Sequence, residues 1–307
     1  MKTKYSLVIA TICIASFAVS ALGAELSAKA SALPEELRHG LVLYYSFDSE
    51  PSTAEIADES GQGNEGRPVN VEWVKDGHQG GAASFGMTNS YITVPDRTKL
   101  NPDVLTLAAW IKISNNTWGY IFDKGFAEGY VLGIYPQRGG LVFLRVLNNW
   151  AQPEIKVTDG QWRHIVGTYD GKDVKMYING ELVDKRPWAG KVPRTPYDLT
   201  IGANRSNNKK APLSKADASF NGLMDDVMMF NRALSDAEVQ TLFKAQGGTI
   251  GPKLGNPAPV TRTPARSSAQ NKPGADERLK QIKLLLDQGL IDKENYDRKV
   301  KEIVDSI

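Results

Sequence analysis

The sequence predicts an all-β fold, an antiparallel sandwich or barrel, followed by a linker and a small α-helical hairpin. Three observations carry this. From Gly40 to Phe230, short runs of strand-forming residues recur, separated by Gly, Asn, Asp and Pro. No helix-period stretch interrupts them, so the strands lack the crossover helices that parallel pairing needs. Helical periodicity begins only after Phe230.

The strands read as follows. Leu41 to Phe47 is dense in strand formers, and Tyr91-Ile92-Thr93-Val94 stops at Pro95, which cannot donate to a ladder. Leu105 to Ile113 puts Leu105, Leu107, Ala109, Ile111 and Ile113 on one face, with Thr106, Ala108, Trp110 and Lys112 on the other. Leu141 to Leu147 and Arg163 to Tyr169 are further strands. In Val174 to Val183, Asn179-Gly180 lies between two β-prone runs and predicts a type I′ hairpin, whose two turn residues both need positive φ.

The helices come late. Ser235-Asp236-Ala237-Glu238 fits a capping box, Val239, Leu242 and Phe243 line one face, and Gly247-Gly248 stop the helix. Residues 247–275 hold five Gly, five Pro, four Lys or Arg and no acid, a composition that buries no core and reads as a flexible linker. From Asp276 to Gln288, Leu279, Ile282, Leu285 and Leu286 share a face. Gly289 then precedes a second helix, capped by Asp292, with Tyr296, Val300 and Ile303 on one side. Two such short helices bury their stripes only in part, so residues 276–307 want a partner, another copy or another protein.

The chain's start reads as a secretory signal at 1–24. Lys2 and Lys4 precede the apolar run Leu7 to Val19, too short to span a bilayer comfortably, and small residues follow at two alternative cleavage sites, Val19-Ser20-Ala21 and Ala21-Leu22-Gly23-Ala24. The alternative is an uncleaved anchor. Export places the protein in the periplasm or outside the cell. Cys13 lies inside that segment and is the only cysteine, so disulfides, thiolate metal sites and cysteine nucleophiles are excluded from the mature chain. A net charge of +2 without a basic cluster gives no electrostatic case for nucleic acid.

Residues 39–246 resemble the laminin-G-like, concanavalin A-like jelly-roll family, through six short stretches in order. These are Gly40 to Asp48, Asp58-Glu59-Ser60-Gly61-Gln62-Gly63-Asn64, Gly80 to Phe85 with Tyr91 to Val94, Leu105 to Ile111, Gly160 to Val166, and Gly222 to Val227 running on to Ser235. Gly86 departs from the pattern, since the family usually carries Asp there. The resemblance implies a jelly-roll β-sandwich. The segment from Leu279 to Tyr296 is similar to the short helical module called SHOCT, which implies an exported or membrane-associated bacterial protein with a tail for assembly or self-association.

Candidate sites follow. The resemblance implies a structural calcium joining the acidic loop to the closing strand, held by Asp58, Asn64 and Asp225, with Asp48 a further oxygen donor. The same residues equally suit Asx turns and strand caps without metal. Trp118, Trp150 and Trp188 fall in loops beside Asn or charged residues, where an aromatic stacks on a sugar face and an amide such as Asn149 bonds its hydroxyls. Each could instead fold back over the sandwich edge. Trp110 and Trp162 read as core.

Catalytic signals are weak. Concanavalin-like glycosidases use a Glu-x-Asp-x-x-Glu run on one strand, but no Glu here is followed two positions later by Asp. Strand alternation would send Asp225 and Asp226 to opposite faces. His39, His78 and His164 are scattered, and no Gly-x-Ser-x-Gly elbow exists. The expectation is a non-catalytic binding protein, recognising glycan or a protein surface through jelly-roll loops. A glycoside hydrolase or lyase, and a structural assembly protein, are the alternatives.

Overall fold

A computed structural model describes residues 27–51, 54–86, 89–113, 119–125, 128–135, 140–147, 149–153, 155–204, 219–249, 279, 283 and 293–304. The expected signal at 1–24, nearly all of the expected linker and most of the expected first hairpin helix lie outside the described residues. So does Trp118. The described residues fall into two compact units, one within residues 1–256 and one within 257–307.

The first unit opens with two short helices, α1 (Ala28–Ala32) and α2 (Glu35–Arg38). The strands that follow are β1 (Leu41–Tyr45), β2 (Arg67–Val69), β3 (Glu72–Val74), β4 (Ala82–Phe85), β5 (Tyr91–Val94), β6 (Leu105–Lys112), β7 (Gly119–Asp123) and β8 (Tyr130–Tyr135). After these come β9 (Leu141–Val146), β10 (Asn149–Ala151), β11 (Trp162–Tyr169), β12 (Asp173–Ile178), β13 (Glu181–Pro187), β14 (Leu199–Ile201) and β15 (Gly222–Phe230). Helix α3 (Asp236–Ala245) closes the unit, and α4 (Lys293–Val304) belongs to the second. Among the described residues no helix is long and apolar enough to cross a membrane.

The strands form two sheets with antiparallel pairing throughout. One runs β13-β12-β11-β6-β15-β4-β3, with β1 also on β15, and the other runs β10-β9-β8-β7-β14-β5-β2. Strand β15 holds β6 along one side and has β1 and β4 end to end along the other. The predicted hairpin turn is present, because Ile178 pairs with Glu181 while Asn179 and Gly180 have φ of 51° and 78°.

The main core fills the space between the sheets. Leu105, Leu107, Ala109 and Ile111 of β6 point into it, together with Leu132 and Ile134 of β8 and Val142 and Leu144 of β9. The reverse face of β6 is buried too. There Ala108 joins Ala30, Leu33 and Leu37 of the N-terminal segment, Met228 and Phe230 of β15, and Val239 and Leu242 of α3. The sandwich unit therefore begins before residue 39. Helices of five and four residues are too short to show a helical period, and only the Ser27 cap, accepting from the Ala30 N–H, marks them. Helix α3 has its capping box in full, with Ser235 and Glu238 bonded reciprocally.

Candidate binding site

Alternation decides what the seven-stranded sheet shows on its outer side. Tyr130, Leu132 and Ile134 of β8, and Val142, Leu144 and Val146 of β9, face the core. The residues between them, Val131, Phe143 and Arg145, therefore face outward. Straight across the strands, Trp150 pairs with Arg145, Arg145 with Val131, and Val131 with Asp123. Asp123 in turn pairs with Thr200, Thr200 with Thr93, and Thr93 with Arg67. Residues in register share a face, so one row runs from an aromatic through a cation and a carboxylate to two hydroxyls. A second row joins Phe143, Gly133 and Tyr120.

The aromatic end of this row is the part that reaches solvent. Trp150 is 37% exposed. Its ring lies 5.0 Å from Phe143, and the Arg145 guanidinium sits 4.9 Å from its centroid. The Arg145 Nε–H donates to the Leu147 carbonyl, which fixes the fork. Burial lowers the Arg145 pKa, while the nearby Tyr120 and Asp123 oppose that shift. Burial raises the Tyr120 phenol, against a hydrogen bond with Asn204. The Thr200 hydroxyl is buried without a partner among the described residues.

The outer side of the eight-stranded sheet is built differently. Trp110 of β6 stacks on His78 at 3.4 Å and on Phe243 of α3 at 5.5 Å, with His164 5.2 Å away. His164 is fully buried, and neither ring nitrogen makes a well-aligned hydrogen bond, although the Gln246 amide lies beside it. Burial, and then the neighbouring His78, push its pKa down to about 3. His78 is held through its Nε2, 3.0 Å from the Gln246 carbonyl.

Asp225 and Asp226 both belong to this covered side, contrary to the alternation expected of them. The ladder between β15 and β6 shifts between Asp225 and Met228, and Asp226 takes a left-handed φ of 47°. Asp225 accepts from the backbone N–H groups of His78, Gln79 and Asp226. Asp226 accepts from the Tyr44 hydroxyl at 2.7 Å and pairs with Lys29 of α1 at 3.0 Å, and Lys29 also reaches Asp48 at 2.9 Å. Burial and the adjacent Asp226 push Asp225 up to about 7. Both carboxylates are fully buried, so no substrate reaches them.

The calcium candidates sit in two separate settings. Asp58 accepts from the Tyr44, Ser60 and Asn64 backbone N–H groups and from the Ser60 hydroxyl, which organises its loop. Asn64 donates to the Val42 carbonyl, while its Oδ1 is buried without a partner among the described residues. Asp225 is spent on the three N–H groups above. Among the described residues no three His, Cys, Asp or Glu side chains group as a cation cage. As arranged, Asp58 and Asp225 are each held by hydrogen bonds from the chain itself, the Asx-turn and strand-cap roles also expected of them.

The remaining candidates divide. The Trp188 ring lies 4.7 Å from Tyr169 and half-buries over the core, with Gly190 against its edge. Asn149 pairs through its backbone with Val146 in β10. Arg145 and Phe143 were invisible as partners of Trp150 in the sequence, and Tyr120 and Asp123, further along the outward rows, were invisible as their companions, because cross-strand register aligns them.

A profile of the concanavalin A-like lectin/glucanase superfamily, of laminin-G type, matches residues 86–240, and the chain belongs to that superfamily. A comparison with curated protein sequences finds no match. Similar solved structures include the binding domain of a paraclostridial mosquitocidal protein, at 18% identity and a TM-score of 0.53 over 67% of this chain. The chain spans 52% of that domain's length. Another is domain 4 of an extracellular arabinanase from Geobacillus stearothermophilus, solved with arabinotriose. It is 22% identical with a TM-score of 0.52, over 66% of this chain and 97% of the domain. A third is the botulinum neurotoxin serotype D binding domain, at 17% identity and a TM-score of 0.51 over 68% of this chain and 52% of that one. These likenesses show the fold, a two-sheet antiparallel sandwich.

Proposed function

We propose that this protein is a non-catalytic, exported binding protein that takes a carbohydrate on the outer side of the seven-stranded sheet. The observation that carries the reading is the exposed Trp150 ring, backed by Phe143 and Arg145 at the end of an outward row. An indole face suits the C–H face of a sugar ring, and a guanidinium fork beside it suits hydroxyl or carboxylate oxygens. Two similar structures support this choice of ligand. One was solved with arabinotriose, and another, of botulinum neurotoxin type C, is described by its dependence on two ganglioside molecules. Against hydrolysis stands the setting of Asp225 and Asp226, sealed beneath helices rather than flanking a cleft.

Export rests on the basic and apolar opening of the chain, and it places the protein in the periplasm or outside the cell. The C-terminal helices serve self-association or docking, since Tyr296, Val300 and Ile303 recur on one side of α4.

The test is a glycan array that includes arabino-oligosaccharides and ganglioside glycans, followed by calorimetry on the hits. Trp150→Ala is expected to weaken binding about two- to tenfold, the loss of one aromatic contact of about 0.5–1.5 kcal/mol. Its thermal midpoint should stay near that of the parent. Failure of the parent chain to bind any glycan, or intact binding by Trp150→Ala, would overturn the proposal.

A further inference from the structure

The seven-stranded sheet ends at β10 on one side and at β2 on the other, and the second end carries a cavity unrelated to Trp150. It opens where the edge strands β2 and β3 leave the two sheets, and its volume is about 490 Å³. That lies inside the range of about 300–1,000 Å³ over which proteins hold small molecules. Phe47, Ile56 and Ala83 form a buried floor, and Pro51, Pro68, Val71 and Trp73 form the walls.

The cavity is held open by its own backbone chemistry. Trp73 donates its indole N–H to the Phe47 carbonyl at 2.8 Å. Gly81 lies directly beneath this bond, where an added Cβ would stand 2.3 Å from the indole nitrogen. A side chain there would push the ring off its anchor.

Two carboxylates stand at the mouth, Glu50 and Glu72, and both residues are exposed. Neither side chain has a hydrogen bond or ion pair among the described residues. Their neighbours are already paired, Glu55 with Arg67 and Asp48 with Lys29. A hollow floored by Phe47, Ile56 and Ala83 and walled in part by Trp73, with two carboxylates at its lip that have no partner among the described residues, is complementary to one kind of occupant. We infer that this cavity is a second ligand site, for a small organic ammonium compound whose aliphatic stem enters the hollow while its cation meets Glu50 and Glu72. The aromatic wall adds to the preference for a cation over its neutral analogue.

Titration of the full chain with hexylammonium, cadaverine, hexan-1-ol and hexanoate tests this, read on the indole resonance that Trp73→Phe removes. Hexylammonium is expected to bind about tenfold more tightly than hexan-1-ol at low salt, and hexanoate not at all, since two exposed carboxylates add only modest attraction. The double variant Glu50→Gln with Glu72→Gln should erase that tenfold preference and leave hexan-1-ol binding unchanged. Its thermal midpoint and glycan binding should match the parent's, because both residues lie at the surface away from Trp150. Equal binding of hexan-1-ol and hexylammonium by the parent, or an undiminished preference in the double variant, would overturn the assignment.

Discussion

The two outer sides of this sandwich obey the same strand alternation and come to opposite ends. On the eight-stranded sheet, Trp110, His164, Asp225 and Asp226 turn outward and are then sealed by α1, α2 and α3. The two carboxylates there find partners inside the protein, in Lys29, Tyr44 and the His78–Gln79 backbone. On the seven-stranded sheet no helix residue joins the cluster of Tyr120, Val131 and Phe143 among the described residues, and the row ends in an exposed Trp150. What covers an outward residue, more than its type, decides whether a tryptophan is structure or surface.

The sharpest way to break this comparison is to truncate one tryptophan on each side. Trp110→Ala removes a ring packed between His78 and Phe243 and should cost about 4 kcal/mol, as large-to-small changes in cores do. Trp150→Ala removes a ring that is partly in water and should cost under about 1 kcal/mol while weakening ligand binding. Chemical denaturation of the two variants measures both. Equal losses would mean that the two faces are not the opposites described.

A smaller effect separates the faces by pH. The folded His164 has a pKa near 3 against 6.5 in the unfolded chain, so above pH 6.5 it is neutral in both states and changes nothing. As pH falls from 6.5 towards 3, the unfolded chain binds a proton that the buried ring refuses. Stability is then lost at up to about 1.4 kcal/mol per unit. Asp225 works in the other direction. Its folded value near 7 lies above 3.8, so its contribution is full below 3.8 and is lost as pH rises through that window to 7. The parent should therefore show a flattened acid limb. His164→Phe keeps the aromatic stack and removes the titration. Relative to the parent it should be unchanged above pH 6.5 and gain about 1.4 kcal/mol for each unit below it. A difference that stays constant from pH 7 to pH 4 would show that His164 does not resist protonation.

Much of this architecture was legible in the residues, and the exceptions share a cause. The inward face of β6, the Asn179-Gly180 turn and the Ser235–Glu238 cap each express a local rule, and each is present. The outward Trp110 was expected to pack and does, but its partner on α3, Phe243, lies more than a hundred residues away and carries no local mark. The separation of Asp225 from Asp226 failed because a bulge and one left-handed residue reset the alternation, and neither Asp announces a bulge. The Arg145–Trp150 contact was half legible, since Trp150 stood out as a loop aromatic while Arg145 looked like an ordinary strand residue. That contact crosses the β9–β10 hairpin, only five residues apart, but its register is set by the strand pairing and by no mark on Arg145 itself.

The smallest expected effect concerns calcium, and it sharpens the comparison at the loop between β1 and β2. Four donors from the chain already satisfy Asp58, and three backbone N–H groups satisfy Asp225. An ion bound only by the folded form would raise apparent stability in proportion to its occupancy, whereas a loop closed by its own hydrogen bonds gains nothing from it. Thermal unfolding in millimolar calcium and in chelator should therefore agree within about 1 °C, less than a bound ion's several degrees. Asn64 is the residue through which this expectation fails if it fails, because its Oδ1 is the loop's buried oxygen without a donor. A calcium-dependent rise of several degrees that Asn64→Ala abolishes would mean that the loop is closed by a cation, and that Asp58 exchanges one of its N–H partners to hold it.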